Sequence, residues 1–395
     1  MILPAPNEAV IRRFDVPKTI VHGGGCRRQI STLVRELGGT RVLVVTDPGV
    51  IELGLVSELV DQLTSDEMSV ALFSEVQADP TDDNVAAGVF ALHQHQADVI
   101  VAIGGGSPID TAKVIALRLA NPQPLPEFMK LGHHAKPGLP LIVIPSTAGT
   151  GSEATKVAVI TDTTRQMKMM MLSTSLLPSA ALVDYELTMS MPPGLTAAVG
   201  VDTLTHGIEA YISRKANHLT DPLALHCISL CARHLRCAWN EPGNHQARAG
   251  MMLAATLGGM AFSNSSVCLV HGMSRPIGAV FHVPHGLSNA VLLPTVTRFS
   301  IASAQERYAT VAYTVGCVSA SASPVEACEA LMEWLLELNS ALKIPTLGQC
   351  RGVKREVFEL EVEKMAADAL ASGSPAHNPR VPTAGEIVAL YHRAW

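Results

Sequence analysis

The chain has 395 residues, of which 48% are hydrophobic and only 16% charged, and a formal net charge of −6. That length suits two domains, and the composition is that of a well-buried globular protein rather than a disordered one. A mild negative charge without any Lys/Arg block speaks against a nucleic-acid or anionic-membrane surface.

No apolar run approaches the length of a bilayer span; the nearest, residues 250–262 (GMMLAATLGGMAF), reads as a buried helix rich in small residues. Pro4, Pro6 and Glu8 stand where a secretory signal would need an apolar core. The eight Cys are scattered without a C-x-x-C, and Cys227, Cys231 and Cys237 have the spacing of reduced core thiols on an apolar helix. A soluble, cytoplasmic protein is expected.

From about residue 20 to 187, short apolar runs alternate with amphipathic stretches. Residues 41–46 (RVLVVT), 70–73 (VALF), 98–103 (DVIVAI) and 139–144 (LPLIVI) have strand length and suit parallel strands covered on both faces. Helices are expected over 50–63 and 82–95. Such alternation predicts a doubly wound α/β domain, in which ligands bind beyond the carboxyl ends of the strands.

Directly after DVIVAI come Gly104, Gly105, Gly106 and Ser107, then Pro108 to Lys113. Three glycines let backbone approach a bulky anion, and the helix that follows offers unpaired N–H groups and a positive dipole end. A pyrophosphate fits that description; a ligand-free glycine turn fits it too. The strand LPLIVI runs into PSTAGTGSEAT, where Thr147, Thr150 and Ser152 give a polar lining suited to a nucleotide. Two such loops after successive strands outline one cleft.

Asp47 ends an earlier strand. A carboxylate there accepts hydrogen bonds from an adenosine ribose and repels a 2′-phosphate, which favours NAD over NADP. The same Asp47-Pro48-Gly49 also describes a plain turn. Lys168 has the reach for a ribose or phosphate, and equally the look of a solvated lysine.

Pro192-Pro193 marks the boundary between an α/β domain of residues 1–190 and a second domain of 191–395. There, helices are expected over 195–213, 223–238, 247–262, 304–315 and 325–338, with almost no strand signal. In residues 199–211 (VGVDTLTHGIEAY), Asp202 and His206 leave one helix face four residues apart, a spacing that can grip a divalent ion or arise by accident. A second stretch, 270–286 (VHGMSRPIGAVFHVPHG), changes that balance. Here His271 is read as closing a helix that Pro276 and Gly278 break, and His285 as standing at the start of the next. Asp202, His206, His271 and His285 would make a site of three nitrogens and one oxygen, suited to Fe(II) or Zn(II) and too poor in oxygen for Mg(II) or Ca(II).

In this order, the motifs resemble the iron-containing (metal-dependent) alcohol dehydrogenases, which share the dehydroquinate synthase-like fold. The resemblance runs from residues 14–25 (FDVPKTIVHGGG) through GGGSPIDTAK, PSTAGTGSEAT, VDTLTHGIEAY and HGMSRPIGAVFHVPHG to NPR at 378–380. It implies an α/β dinucleotide-binding domain with a mostly parallel sheet, followed by an all-α domain. It also implies Asp202, His206, His271 and His285 as metal ligands and Gly104, Gly105, Gly106 and Ser107 around the pyrophosphate. Asp110 and Lys113 belong to the same loop-helix motif, Thr147, Thr150 and Ser152 line the nicotinamide nucleotide, and Asp47 takes the ribose-reading position.

The activity so implied is NAD-linked oxidation of a primary alcohol to an aldehyde, on a small substrate and in a homodimer. A hydroxyacid or semialdehyde dehydrogenase and a hydroxyacid-oxoacid transhydrogenase are alternatives, with a dehydroquinate synthase-type lyase further off. One departure stands out. Many members carry His four residues after the third ligand, thought to relay the alcohol proton, and this chain has Arg275 there. Arginine stays protonated. Either His282 takes the relay or the proton leaves through water and the cofactor ribose; Arg275 would then select an anionic substrate or make a salt bridge.

Overall fold

The computed structural model describes residues 11–129, 135–165 and 167–395; Pro4, Pro6 and Glu8 lie outside them. The chain divides into two compact units, one of Asp15–Ser190 and one of Met191–Trp395 that also takes in residues 11–14.

Among its described residues the first unit carries eight strands: β1 Thr19–His22, β2 Arg41–Val45, β3 Ser69–Phe73, β4 Val99–Gly104, β5 Leu141–Pro145, β6 Val157–Asp162, β7 Met167–Leu172 and β8 Ala180–Val183. Six of them form one sheet in the order β1-β8-β5-β4-β2-β3, with every neighbouring pair parallel. Its inner strands β4, β5 and β8 are buried along their whole length, which explains their unbroken apolar sequences. The helices are α1 Ile30–Glu36, α2 Pro48–Glu52, α3 Ser57–Ser65, α4 Asp82–His95 and α5 Gly106–Arg118. Register sets the functional edge: Gly104 lies opposite Pro145, so the loops after β4 and β5 leave the sheet at one level.

Three features escaped the pattern. The helix expected over 50–63 is two, split at Gly54, whose φ of +72° no helix accepts. The short strands β1 and β8, four residues each, carry too little periodicity to register. The antiparallel hairpin β6–β7 is hidden because MKMMML is made of helix-favouring residues; pairing with β6 decides its state.

The second unit is helical: α6 Pro193–Ile212, α7 Asp221–Asn240, α8 His245–Asn264, α9 Leu269–Phe281, α10 His285–Ser300, α11 Gln305–Val315, α12 Pro324–Ala341, α13 Arg355–Ala371 and α14 Ala384–Ala394. Proline at the first position of α6 starts it without wasting a donor. Apolar on all sides, α6 is buried from Thr196 to Ile212 apart from Val199 and forms the centre of the unit. Small residues let its neighbours close in: a Cβ on Gly207 would stand 2.9 Å from Ile228 and 3.2 Å from the Ala224 carbonyl on α7. Among the described residues, no single helix is long and apolar enough to cross a membrane.

One helix boundary is corrected. His271 does not close a helix but sits in the first turn of α9, and Pro276 and Gly278 lie inside that helix. The break falls earlier, where Ser265 and Cys268 adopt non-helical backbone. His282, at φ +55°, ends α9, and His285 opens α10 after Pro284.

Candidate functional site

Helix α6 presents Asp202 and His206 on one face, while the first turn of α9 brings His271 and the first residue of α10 brings His285. Ligand atoms of Asp202, His271 and His285 all lie within 4.8 Å of one another. His206 stands beside this group, its Nε2 3.8 Å from Asp202 Oδ1. Its ring is stacked between Phe262 at 4.4 Å and His271 at 4.7 Å, and its Nδ1 is buried without a hydrogen-bond partner. Asp202, His206 and His271 are each at most 4% exposed.

Two residues that the sequence reading missed hold this group in place. The first is Glu209, three residues beyond His206 on the buried face of α6. It accepts hydrogen bonds from the Cys268 N–H at 2.8 Å, the Val270 N–H at 2.6 Å and His271 Nδ1 at 2.7 Å. Cys268 caps α9 without a side-chain bond of its own, so a carboxylate from α6 satisfies donors at the start of α9. Burial pushes Glu209 up to about 7, against which the three backbone N–H groups pull down. The second is Asn289, one turn into α10 from His285 and fully buried. Its Nδ2 lies 2.6 Å from Asp202 Oδ1, 3.2 Å from His271 Nε2 and 3.1 Å from His285 Nε2. The signals were there in an acid within an apolar run, and in an amide four residues after a histidine.

Electrostatics put these groups in ligand form. Burial, then the neighbouring His206, holds His271 well below the ordinary imidazole range, so the ring is neutral. With Nδ1–H given to Glu209, Nε2 keeps its lone pair for the site. Burial pushes Asp202 up, but His206, His285, His271 and the Asn289 amide outweigh it and leave the carboxyl below its usual value. Ser274 Oγ lies 3.1 Å from His285 Nδ1 and orients that ring from behind. Two oriented imidazoles and one carboxylate converging on one point fit a divalent ion of the Fe(II) or Zn(II) kind.

The two residues considered for proton handling have different surroundings. His282 is exposed at the end of α9. Arg275, one turn after His271, is half-buried and donates to Ser374 Oγ at 3.0 Å, with the Glu209 carboxylate favouring its charge against burial. A cavity of about 550 Å³ between the end of α6 and the start of α11, lined by Arg214, Gln305 and Arg307 among others, contains none of the candidate metal residues.

In the α/β unit, a cleft of about 500 Å³ is lined by Asp47, Gly49, Glu75, Gln77, Gly105, Gly106 and Ser107. Gly104 has φ +149°, and a Cβ there would stand 2.7 Å from Pro108 and 3.3 Å from Asp47 Oδ2. A Cβ on Gly106 would stand 3.0 Å from Thr150 and one on Gly105 3.5 Å from Thr147, so the two loops form one cradle that side chains would fill. No side chain caps α5, which leaves its first-turn donors for an anion. Asp47 lines the cleft and also caps α2, accepting from the Val50 N–H at 3.0 Å.

Three cofactor candidates, Lys168, Asp110 and Ser152, and Lys113 of the same loop-helix motif, also have partners within the protein. Lys168 is bonded to Asp79 at 2.6 Å, next to Ala78 of the cleft wall. Asp110 accepts from the Ser152 hydroxyl and from the Val159 N–H at 2.9 Å. Lys113, 1% exposed, donates to Ser152 at 2.8 Å, Thr155 at 3.0 Å and the Val157 carbonyl at 2.7 Å. Asp110, Lys113 and Ser152 therefore strap α5 to the loop after β5 and to β6.

Comparison with known proteins agrees with this arrangement. Residues 17–185 match the iron-containing alcohol dehydrogenase family and residues 196–395 the C-terminal domain of the Fe-containing alcohol dehydrogenase family. The chain is 35% identical over 381 residues to the NAD-dependent methanol dehydrogenase of Bacillus methanolicus, covering 96% of this chain and 99% of that one. To the lactaldehyde reductase of Escherichia coli strain K12 it is 36% identical over 385 residues, with 97% and 99% covered. A crystal structure of 1,3-propanediol oxidoreductase superposes with a TM-score of 0.92 at 35% identity, over 98% of this chain and 100% of the other. With its parallel-sheet unit, its helical unit and its two halves matched end to end, the chain belongs to the iron-containing alcohol dehydrogenase family, oxidoreductases that act on CH–OH groups.

Proposed function

We propose that this protein is an NAD-linked, metal-dependent dehydrogenase that interconverts a small primary alcohol and its aldehyde. The observation that carries the reading is the convergence of Asp202, His271 and His285 on one point, with His206 alongside and Glu209 fixing the His271 ring. These four would hold the ion, Fe(II) or Zn(II). Gly104, Gly105, Gly106 and Ser107 would take the pyrophosphate, Thr147 and Thr150 the nicotinamide half, and Asp47 the ribose. A bound ion supplies Lewis-acid polarisation of the substrate oxygen, and the nicotinamide supplies the hydride chemistry.

The chain's own contribution is orientation. Asp202 and the neutral His271 ring are presented already buried, with little reorganisation left to do. NAD is preferred to NADP because Asp47 sets a carboxylate in the cleft where a 2′-phosphate would carry its charge. His282, free in solvent contact, is the side chain offered for passing a proton outward, since Arg275 stays charged. The assembly proposed is a homodimer, on the habit of the family.

Relatives of equal similarity bear the names of methanol, lactaldehyde and propanediol enzymes, so the substrate rests on a direct screen. Protein loaded in turn with Fe(II) and Zn(II) is assayed against neutral and charged alcohols and aldehydes, with NAD and NADP. Absorbance of reduced NAD rising with a neutral primary alcohol is the expected result. No cofactor reduction with any alcohol under either metal would overturn the reading.

A further inference from the structure

The amide nitrogen of Asn289 is the point at which three ligand atoms meet: Asp202 Oδ1, His271 Nε2 and His285 Nε2, at 2.6–3.2 Å. An amide has only two N–H groups to give to these three acceptors. Its own Oδ1 is buried and has no hydrogen-bond partner. A side chain so placed loses half its hydrogen-bonding capacity in order to serve the ligands. Its neighbour in sequence, His285, fixes the approach: residues 285 and 289 lie one turn apart on one face of α10, so the imidazole and the amide point the same way.

A cation and this nitrogen compete for the same lone pairs. His271 turns Nδ1 to the Glu209 carboxylate at 2.7 Å, which leaves Nε2, 3.6 Å from Asp202 Oδ1, as an acceptor rather than a donor to it. Without a donor between them, the buried Asp202 carboxylate and the buried His271 Nε2 would face one another at 3.6 Å with no proton between, which costs free energy at each atom.

The geometry points to Asn289 as a built-in place-holder for the metal: its amide keeps the ligand set assembled when no ion is bound and must release it for an ion to bind. This rests on the reading of Asp202, His271 and His285 as metal ligands. It assigns Asn289 a positioning role set against metal affinity, the opposite of a ligand's. Removing the amide should weaken the chelator-treated protein only, and by linkage the metal should then bind more tightly.

The test uses the full-length chain with Asn289→Ala, and Asn289→Ser as a milder variant that retains one donor. Zn(II) affinity is measured by competition with a chromogenic chelator, and melting temperature is measured with chelator and with saturating Zn(II). We expect the chelator-treated Ala variant to melt several degrees below wild type, the Zn(II)-saturated one to match it, and Zn(II) to bind about threefold to tenfold more tightly, with Ser in between. Weaker Zn(II) binding by either variant, or an unchanged melting temperature without metal, overturns the place-holder. If wild type itself binds no stoichiometric Zn(II), Fe(II) or Co(II), the metal-site reading fails and takes this inference with it.

Discussion

Glu209 Oε2 lies 2.7 Å from Nδ1 of His271, although 62 residues separate them in the chain. One carboxylate thereby fixes the tautomer of a candidate metal ligand and satisfies donors at the start of the helix that carries it. Glu209→Gln keeps the shape but offers one acceptor oxygen where the carboxylate has two. At least one of the three N–H groups then loses its partner, at a cost of about 1–3 kcal/mol. Metal affinity should fall about 10–100-fold, as is usual for a lost outer partner of a ligand. Calorimetric titration with Zn(II) checks this, and an unchanged affinity would remove Glu209 from the site.

His271→Ala deletes a donor without touching the Glu209 bonds to Cys268 and Val270. Turnover should drop by at least about three orders of magnitude, as expected when Lewis-acid polarisation worth several kcal/mol is lost. Helical circular dichroism should stay close to wild type. Chelation of the native enzyme should give the same loss, reversed by Fe(II) or Zn(II). Wild-type turnover in the variant would rule out the metal assignment.

Asp47 has two jobs that one substitution separates. Asp47→Asn retains an oxygen for the Val50 N–H and so keeps the α2 cap, while removing the charge. The ratio of kcat/KM with NADP to that with NAD should rise about tenfold, on the order of 1.4 kcal/mol, with little change in melting temperature. If the ratio stays put, Asp47 is a cap and nothing more.

Lys113 is buried in its strap, and burial lowers its ammonium to about 8, against an ordinary 10.5. Between those values the folded protein binds fewer protons than the unfolded chain, so this group makes stability rise with pH. Relative to Lys113→Met, wild type should gain up to about 3 kcal/mol between pH 8 and 10.5. Urea unfolding of both proteins across that range measures it. A difference flat with pH would mean that Lys113 keeps an ordinary affinity for its proton.

Arg275 occupies the position one turn beyond His271, half-buried and bonded to Ser374. If its charge selects anionic substrates, Arg275→His should lower kcat/KM for a hydroxy acid about tenfold or more relative to the matching uncharged alcohol. An unchanged preference between the two leaves Arg275 a structural residue. Ser374→Ala, which removes that one hydrogen bond and keeps the guanidinium, should leave the preference where it was.

Local chemistry was legible in the sequence because it depends on neighbours along the chain. Period-3.6 patterns marked α6, α7, α8, α11 and α12, and unbroken apolar runs marked β2, β4 and β5. Glycines after β4 marked the cradle, and Asp202 with His206 declared one helix face by spacing alone. What tertiary structure decided is what depends on which faces meet. Glu209 and Asn289 join the site only because α6, α9 and α10 pack together, and neither position announces its distant partners. Asp110 and Lys113 read from the sequence as part of the glycine-loop motif and Ser152 as part of the polar lining; that they bond to one another depends on how α5 meets the loop after β5. His271 changes from the end of one helix to the start of another because the break depends on backbone at Ser265 and Cys268, where no proline or glycine stands. A sequence fixes spacing along one element, whereas hydrogen bonds and desolvation between elements are settled only when the chain has folded.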